Sequence, residues 1–228
     1  MDRAKSRTWP YASKTLKTMN TVSCSRSSAF RYSLLLTAFF LLGGLHTWAD
    51  GLVDDFGSAK HPTRQALRGD WKFEGGVASC VADPELYKKY KDHGPILRWP
   101  VEFTDGTVTF EMKPKDCQRI VVTLNEAGHV FRCSLAADGR SRIFGWSGPS
   151  KENKPTPIAS DGVPSAKQLE DKWTPCEISI KGGKGEIRIG DFEGRFEHAC
   201  FSRKKGEFTI SFAFGDLAVR KVRVTPAD

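Results

Sequence analysis

Three short runs carry polar side chains at every second position. They are Thr107–Lys113, Gln118–Asn125 and His129–Leu135. Glu111, Lys113, Arg119, Thr123 and Arg132 all fall opposite the apolar positions of their own runs. If the three runs lie side by side, these residues share one patch. A carboxylate set among cations suits proton transfer, so Glu111 is a candidate general acid or base. A guanidinium can hold hydroxyls or steady a developing oxyanion. Arg132 is the candidate for the oxyanion, with Lys113, Arg119 and Thr123 as ligand contacts. Trp146, just before a proline-rich stretch, adds an aromatic face with one wet edge. The bland alternative is a solvated sheet face whose cross-strand ion pairs contribute only tenths of a kcal/mol each.

The elements that must position these residues follow from period-two alternation. Val108, Phe110 and Met112 share one face; so do Ile120, Val122 and Leu124, and likewise Phe208, Ile210 and Phe212. A period of two marks half-buried strands, and clean alternation marks antiparallel sheets. In the 129–135 run, strict alternation puts His129 with Phe131 and Cys133 and gives it a structural role. Lys181–Gly185 separates two alternating runs as a hairpin turn. About a dozen strands are expected, packed as an all-β, jelly-roll-like sandwich of two antiparallel sheets. Helix is scarce. Asp83 followed by Pro84 caps a helix of two turns, and 164–171 forms a second short one. The stretch 147–164, with four prolines, reads as a long exposed loop at the rim of a site.

The N-terminal region is read separately. Leu34–Leu45 is an apolar run of 12 residues, short of the roughly 20 that span a bilayer. Basic residues precede it and Ala49 follows, the layout of an export signal. Met19 is an alternative start, and a retained N-terminal anchor is the competing reading. The domains are then a leader, 1–49, and a β-sandwich, 50–228. The leader holds seven of the 35 Lys and Arg residues and one of the 27 Asp and Glu residues. The rest is close to charge balance, so no nucleic-acid partner is expected. After removal of the leader the protein is exported, periplasmic or extracellular, without a membrane span.

Five cysteines remain, Cys80, Cys117, Cys133, Cys176 and Cys200, and their pairing is open. No spacing suits a metal and no motif calls for a cofactor, so none is expected. Asp54 and Asp55, near Asp50, are the acidic knot nearest to a cation site, and none is assigned there. Trp71 and Trp173 read as core.

Three stretches are similar to the 3-keto-disaccharide hydrolase family of exported bacterial domains. They are Leu52–Phe56 with Gly69–Val77, Trp173–Gly183, and Val219–Val224, in which Lys221 stands where the family has asparagine. The resemblance implies a concanavalin A-like lectin/glucanase sandwich and a carbohydrate ligand on a concave sheet. It also implies a hydrolase of glycosides. Cys117–Ile120 and Gly128–Arg132 depart from the family's central strands. That departure keeps two rivals open, a non-catalytic glycan-binding module and a structural protein of the cell envelope.

Overall fold

The computed structural model describes residues 51–227. The leader and its apolar run lie outside the described residues. Fifteen strands appear in chain order: β1 (Leu52–Asp54), β2 (Gln65–Leu67), β3 (Lys72–Glu74), β4 (Val77–Val81), β5 (Ile96–Phe103), β6 (Gly106–Lys115), β7 (Arg119–Asn125), β8 (His129–Ala136), β9 (Arg142–Gly145), β10 (Thr156–Ala159), β11 (Thr174–Lys181), β12 (Lys184–Ile189), β13 (Phe192–Glu197), β14 (Lys205–Ala213) and β15 (Asp216–Pro226). One sheet runs β13-β12-β11-β6-β15-β4-β3, with β1 also on β15; the other runs β10-β9-β8-β7-β14-β5-β2. Every pairing is antiparallel.

Alternation builds the core as expected. Along β6 the residues from Gly106 to Pro114 are buried at every second position, and Val108 and Met112 are fully enclosed. Phe110 of β6 meets Phe208 of β14 across the two sheets, ring centroids 5.6 Å apart; Trp99 of β5 stacks on Phe208 at 5.3 Å. Each such ring contributes roughly 1.5–3 kcal/mol by leaving water. Gly182 and Gly183, at φ 57° and 79°, turn β11 into β12, a backbone conformation that side chains disfavour.

The helix α1 (Pro84–Lys89) starts at Asp83, whose carboxylate accepts from the Glu85 and Leu86 amides. Residues 166–169 form a single 3₁₀ turn closed by a capping box between Ser165 and Gln168. The proline-rich stretch is not all loop, because β10 pairs with β9 at the sheet edge. Among the described residues no helix is long and apolar enough to cross a membrane. All five cysteines of the sandwich are buried as free thiols.

One buried ion pair ties the first strand to the core. Arg64 donates to both Asp54 oxygens at 2.8 and 3.0 Å, and Trp99 Nε1 donates to Asp54 Oδ2 at 2.9 Å. Asp54 is therefore fully occupied. Asp55 turns to its own loop and accepts from the Gly57 amide at 2.9 Å.

Candidate functional site

The strands β6 and β7 are consecutive in the chain but not neighbours. Residues 116–118 cross from one sheet to the other, and β6 pairs instead with β11 and β15. This corrects the single-patch expectation. Glu111 and Lys113 lie on the outer face of the eight-stranded sheet. There Glu111 accepts from Arg220 Nε at 2.6 Å and Lys221 Nζ at 2.7 Å. Those two hydrogen bonds hold its carboxyl below the usual range against the opposing effect of burial. The Lys113 ammonium sits 6.0 Å from the Trp173 ring, which Arg220 covers at 4.0 Å.

Arg119, Thr123 and Arg132 do come together, on the outer face of the seven-stranded sheet. They line a cleft of about 390 Å³ together with Arg98, Asn125, His129, Glu207, Thr209 and Ser211. These side chains project from β5, β7, β8 and β14, whose alternate residues fill the core. The rim is Arg68, Tyr87 and the loop carrying Asp92, His93 and Gly94. Gly94 lies so close to β14 that a Cβ there would stand 1.9 Å from the Phe212 carbonyl oxygen. Only glycine lets the rim loop approach this near.

The floor is a hydrogen-bonded chain across strands. Glu207 is the register partner of Asn125, and Thr209 that of both Thr123 and Arg98. Arg98 Nε donates to Glu207 Oε2. Asn125 Nδ2 donates to Glu207 Oε1 and to Thr123 Oγ1, both at 2.9 Å. Thr123 and Thr209 share a hydroxyl hydrogen bond of 2.6 Å. Asn125 Oδ1 lies 2.8 Å from His129 Nδ1.

These contacts fix the imidazole tautomer. A carboxylate accepts only, so the amide nitrogen of Asn125 must face Glu207 and its oxygen must face His129. His129 Nδ1 then carries the hydrogen, and the Nε2 lone pair is left as an acceptor. Burial, and next the Arg132 guanidinium, hold His129 below the ordinary imidazole range, with Glu207 working the other way. The ring is neutral near pH 7. A base oriented by a second polar group, itself oriented by a third, is the arrangement that activates proton abstraction.

His129 reaches the cleft through a bulge. Leu124 pairs with Phe131 and Asn125 with His129, so Val130 is an extra residue. Val130 and Phe131 both turn into the core, and the alternation resets. The structural role expected for His129 assumed strict alternation, which the bulge breaks.

Arg132 is part-buried, and its Nε is enclosed without a hydrogen-bond partner. Burial, with Arg119 adding repulsion, lowers its pKa. Trp146 is not a platform. It is 5% exposed and packs behind His129, ring centroids 5.2 Å apart. At the rim His93 Nδ1 donates to the Lys91 carbonyl at 2.8 Å. Among the described residues no group of three or more His, Cys, Asp or Glu side chains gathers as a metal site.

Sequence reasoning missed Arg98, Asn125, His129, Glu207 and Thr209. The signal for the 207–211 triplet was present. Glu207, Thr209 and Ser211 alternate with Phe208, Ile210 and Phe212. The polar side of that run carries the site.

This cleft sits on a jelly-roll sandwich of two antiparallel sheets, and solved structures share that fold. One is the CBM2 module of the evolved Dit of Lactobacillus casei BL23 phage J-1. It has a TM-score of 0.56 and 11% identity, covering 76% of this chain and 93% of that one. A Bacillus licheniformis β-glucanase has a TM-score of 0.55 and 8% identity, over 78% and 98% of the two chains. A prokaryotic β-1,3-1,4-glucanase (lichenase) from a mouse hindgut metagenome has a TM-score of 0.53 and 9% identity, over 77% and 98%. At these identities the likeness is one of fold. No protein-family model matches the sequence, and no curated protein matches it.

Proposed function

We propose that this chain is a carbohydrate-directed protein whose cleft hydrolyses glycosides bearing a ring ketone, of the 3-keto-glycoside type. The observation that carries the reading is His129, a neutral base set in the cleft and oriented by Asn125 and Glu207. The family resemblance and the glycan-directed neighbours of the same fold support it. Export under the leader, with residues 50–228 as the working domain, belongs to the same proposal.

The chemistry suits one base rather than a carboxylate pair. A ketone at C3 makes the C2–H bond acidic. His129 Nε2 would take that proton, and the electron pair would move onto the carbonyl oxygen beside Arg132. Collapse of the enolate would expel the C1 oxygen substituent, which leaves with a proton. Water adding across the new double bond would complete a net hydrolysis. General base catalysis of this kind contributes about 10²–10⁴-fold.

Binding without turnover is the second reading. Glu207 is held by Arg98 and Asn125, and a glycosidase working through two carboxylates needs a freer acid than that. The test is a panel of oligosaccharides and 3-keto-glycosides, assayed for binding and product with wild type and His129→Gln. Turnover that falls at least a hundredfold in the variant, with binding kept, supports the hydrolase. Binding without product moves the function to the module, and turnover indifferent to His129→Gln rejects the base.

A further inference from the structure

The cleft continues past Arg132 into a second hollow of about 280 Å³ that also contains Arg119, Ser134, Asp138, Arg140 and Arg142. The sheet register sets three guanidinium-bearing positions around one point. Arg132 lies beside Thr123, Ser134 lies between Val121 and Arg142, and Arg119 lies across from Ala136. The one carboxylate of this hollow is already taken, because Asp138 accepts from Arg140 Nε at 2.8 Å. Glu207, at the other end of the cleft, is taken by Arg98. None of the ion pairs of the described residues includes Arg119, Arg132 or Arg142.

Arg119 repels Arg132 across this hollow, none of the three arginines has a carboxylate of the described residues within ion-pair distance, and the buried Arg132 Nε still lacks an acceptor. The outer face of the other sheet is built differently. There Arg188 meets Glu177, Glu186 and Glu193, and Arg195 meets the last two as well. Sheet positions that lack acids opposite their arginines are suited to a ligand that brings the acid. Guanidinium groups match planar or tetrahedral oxyanions with paired donors.

We propose that Arg119, Arg132 and Arg142 form a subsite for an anionic substituent of the sugar, a carboxylate or a sulfate. The substrate class is thereby an acidic glycan. The inference rests on the carbohydrate reading of the cleft and adds its charge. Arg132 serves both hollows, so the anion binds next to the ring that faces His129.

The test is calorimetric titration of the full-length chain with three probes. They are oligogalacturonate for the carboxylate, sulfated galactan oligosaccharide for the sulfate, and cello-oligosaccharide as the neutral sugar. At least one acidic probe should bind tenfold or more tightly than the neutral one, and its affinity should fall as salt rises. Arg142→Gln, at an exposed position outside the first cleft, should cut that preference at least threefold and leave neutral binding unchanged. Equal affinity for all three probes, or a preference that Arg142→Gln leaves intact, overturns the subsite while the carbohydrate reading stands. Binding of none of them overturns both.

Discussion

Asn125 and His129 hydrogen-bond through Oδ1 and Nδ1 at 2.8 Å, and this pair decides which imidazole nitrogen keeps the lone pair. Asn125→Asp should disturb the pair without changing its shape. A second carboxylate opposite Glu207 favours the imidazolium, so the pKa of His129 should rise by about one unit or more. Nuclear magnetic resonance titration of the His129 ring protons in both proteins measures it. An unchanged pKa would mean that the two side chains are not in contact in solution.

On the hydrolase proposal, the pH dependence of turnover follows from the same ring. A general base works when deprotonated, so the rate falls as pH drops through its pKa. Burial places that pKa below the ordinary value of about 6.5 for imidazole. The acid limb of the kcat/KM profile should accordingly lie below pH 6.5. An acid limb at or above that value would assign the base to another group.

Glu111→Ala should leave the ligand binding and turnover proposed for the cleft at wild-type values, because Glu111 stands on the opposite sheet. Its ion pairs with Arg220 and Lys221 are part-exposed, so the stability lost should be about 1 kcal/mol or less. Urea denaturation together with the binding assay checks both statements.

Asp54→Ala should be far more damaging. It leaves the Arg64 guanidinium buried without its carboxylate and strips Trp99 Nε1 of its acceptor. Breaking a buried pair from one side costs about 3–5 kcal/mol. The urea midpoint should fall accordingly, and a loss below 1 kcal/mol would show that the pair is hydrated.

Lys205 offers a signed test of burial. Its ammonium is enclosed, donating to the Thr104 and Phe201 carbonyls at 2.6 Å, and burial pushes its pKa down to about 8. The unfolded chain holds that proton up to about pH 10.4. Between those values the unfolded state binds more protons, so this group's contribution to stability rises with pH. The thiols of Cys80, Cys117, Cys133 and Cys200, pushed up by burial to about 12, act in the other direction. The difference between wild type and Lys205→Met isolates the lysine. Wild type should gain on the variant from pH 8 to 10, and a constant difference would contradict the shift.

Much of the fold was legible because burial follows parity. Val108, Phe110 and Met112, the Gly182–Gly183 turn and the Asp83 cap each state their role within a few residues. The site was less so. Glu111 and Arg119 are eight residues apart, and nothing local to that stretch says that the chain changes sheets between them. Pairing β6 with β11 and β15 is a choice made by contacts far along the chain. His129 was misplaced for a smaller reason, since a bulge leaves no mark in composition. Trp146 was read as a rim aromatic because its neighbours are loop residues, but burial behind His129 outweighed that setting.

The extra residue at Val130 also changes how kindred clefts must be sought. An imidazole and a guanidinium three positions apart occupy the same side of β8, a spacing that any template written in steps of two discards. A motif search that tolerates this offset would retrieve chains sharing the chemistry even where little else in their sequences agrees.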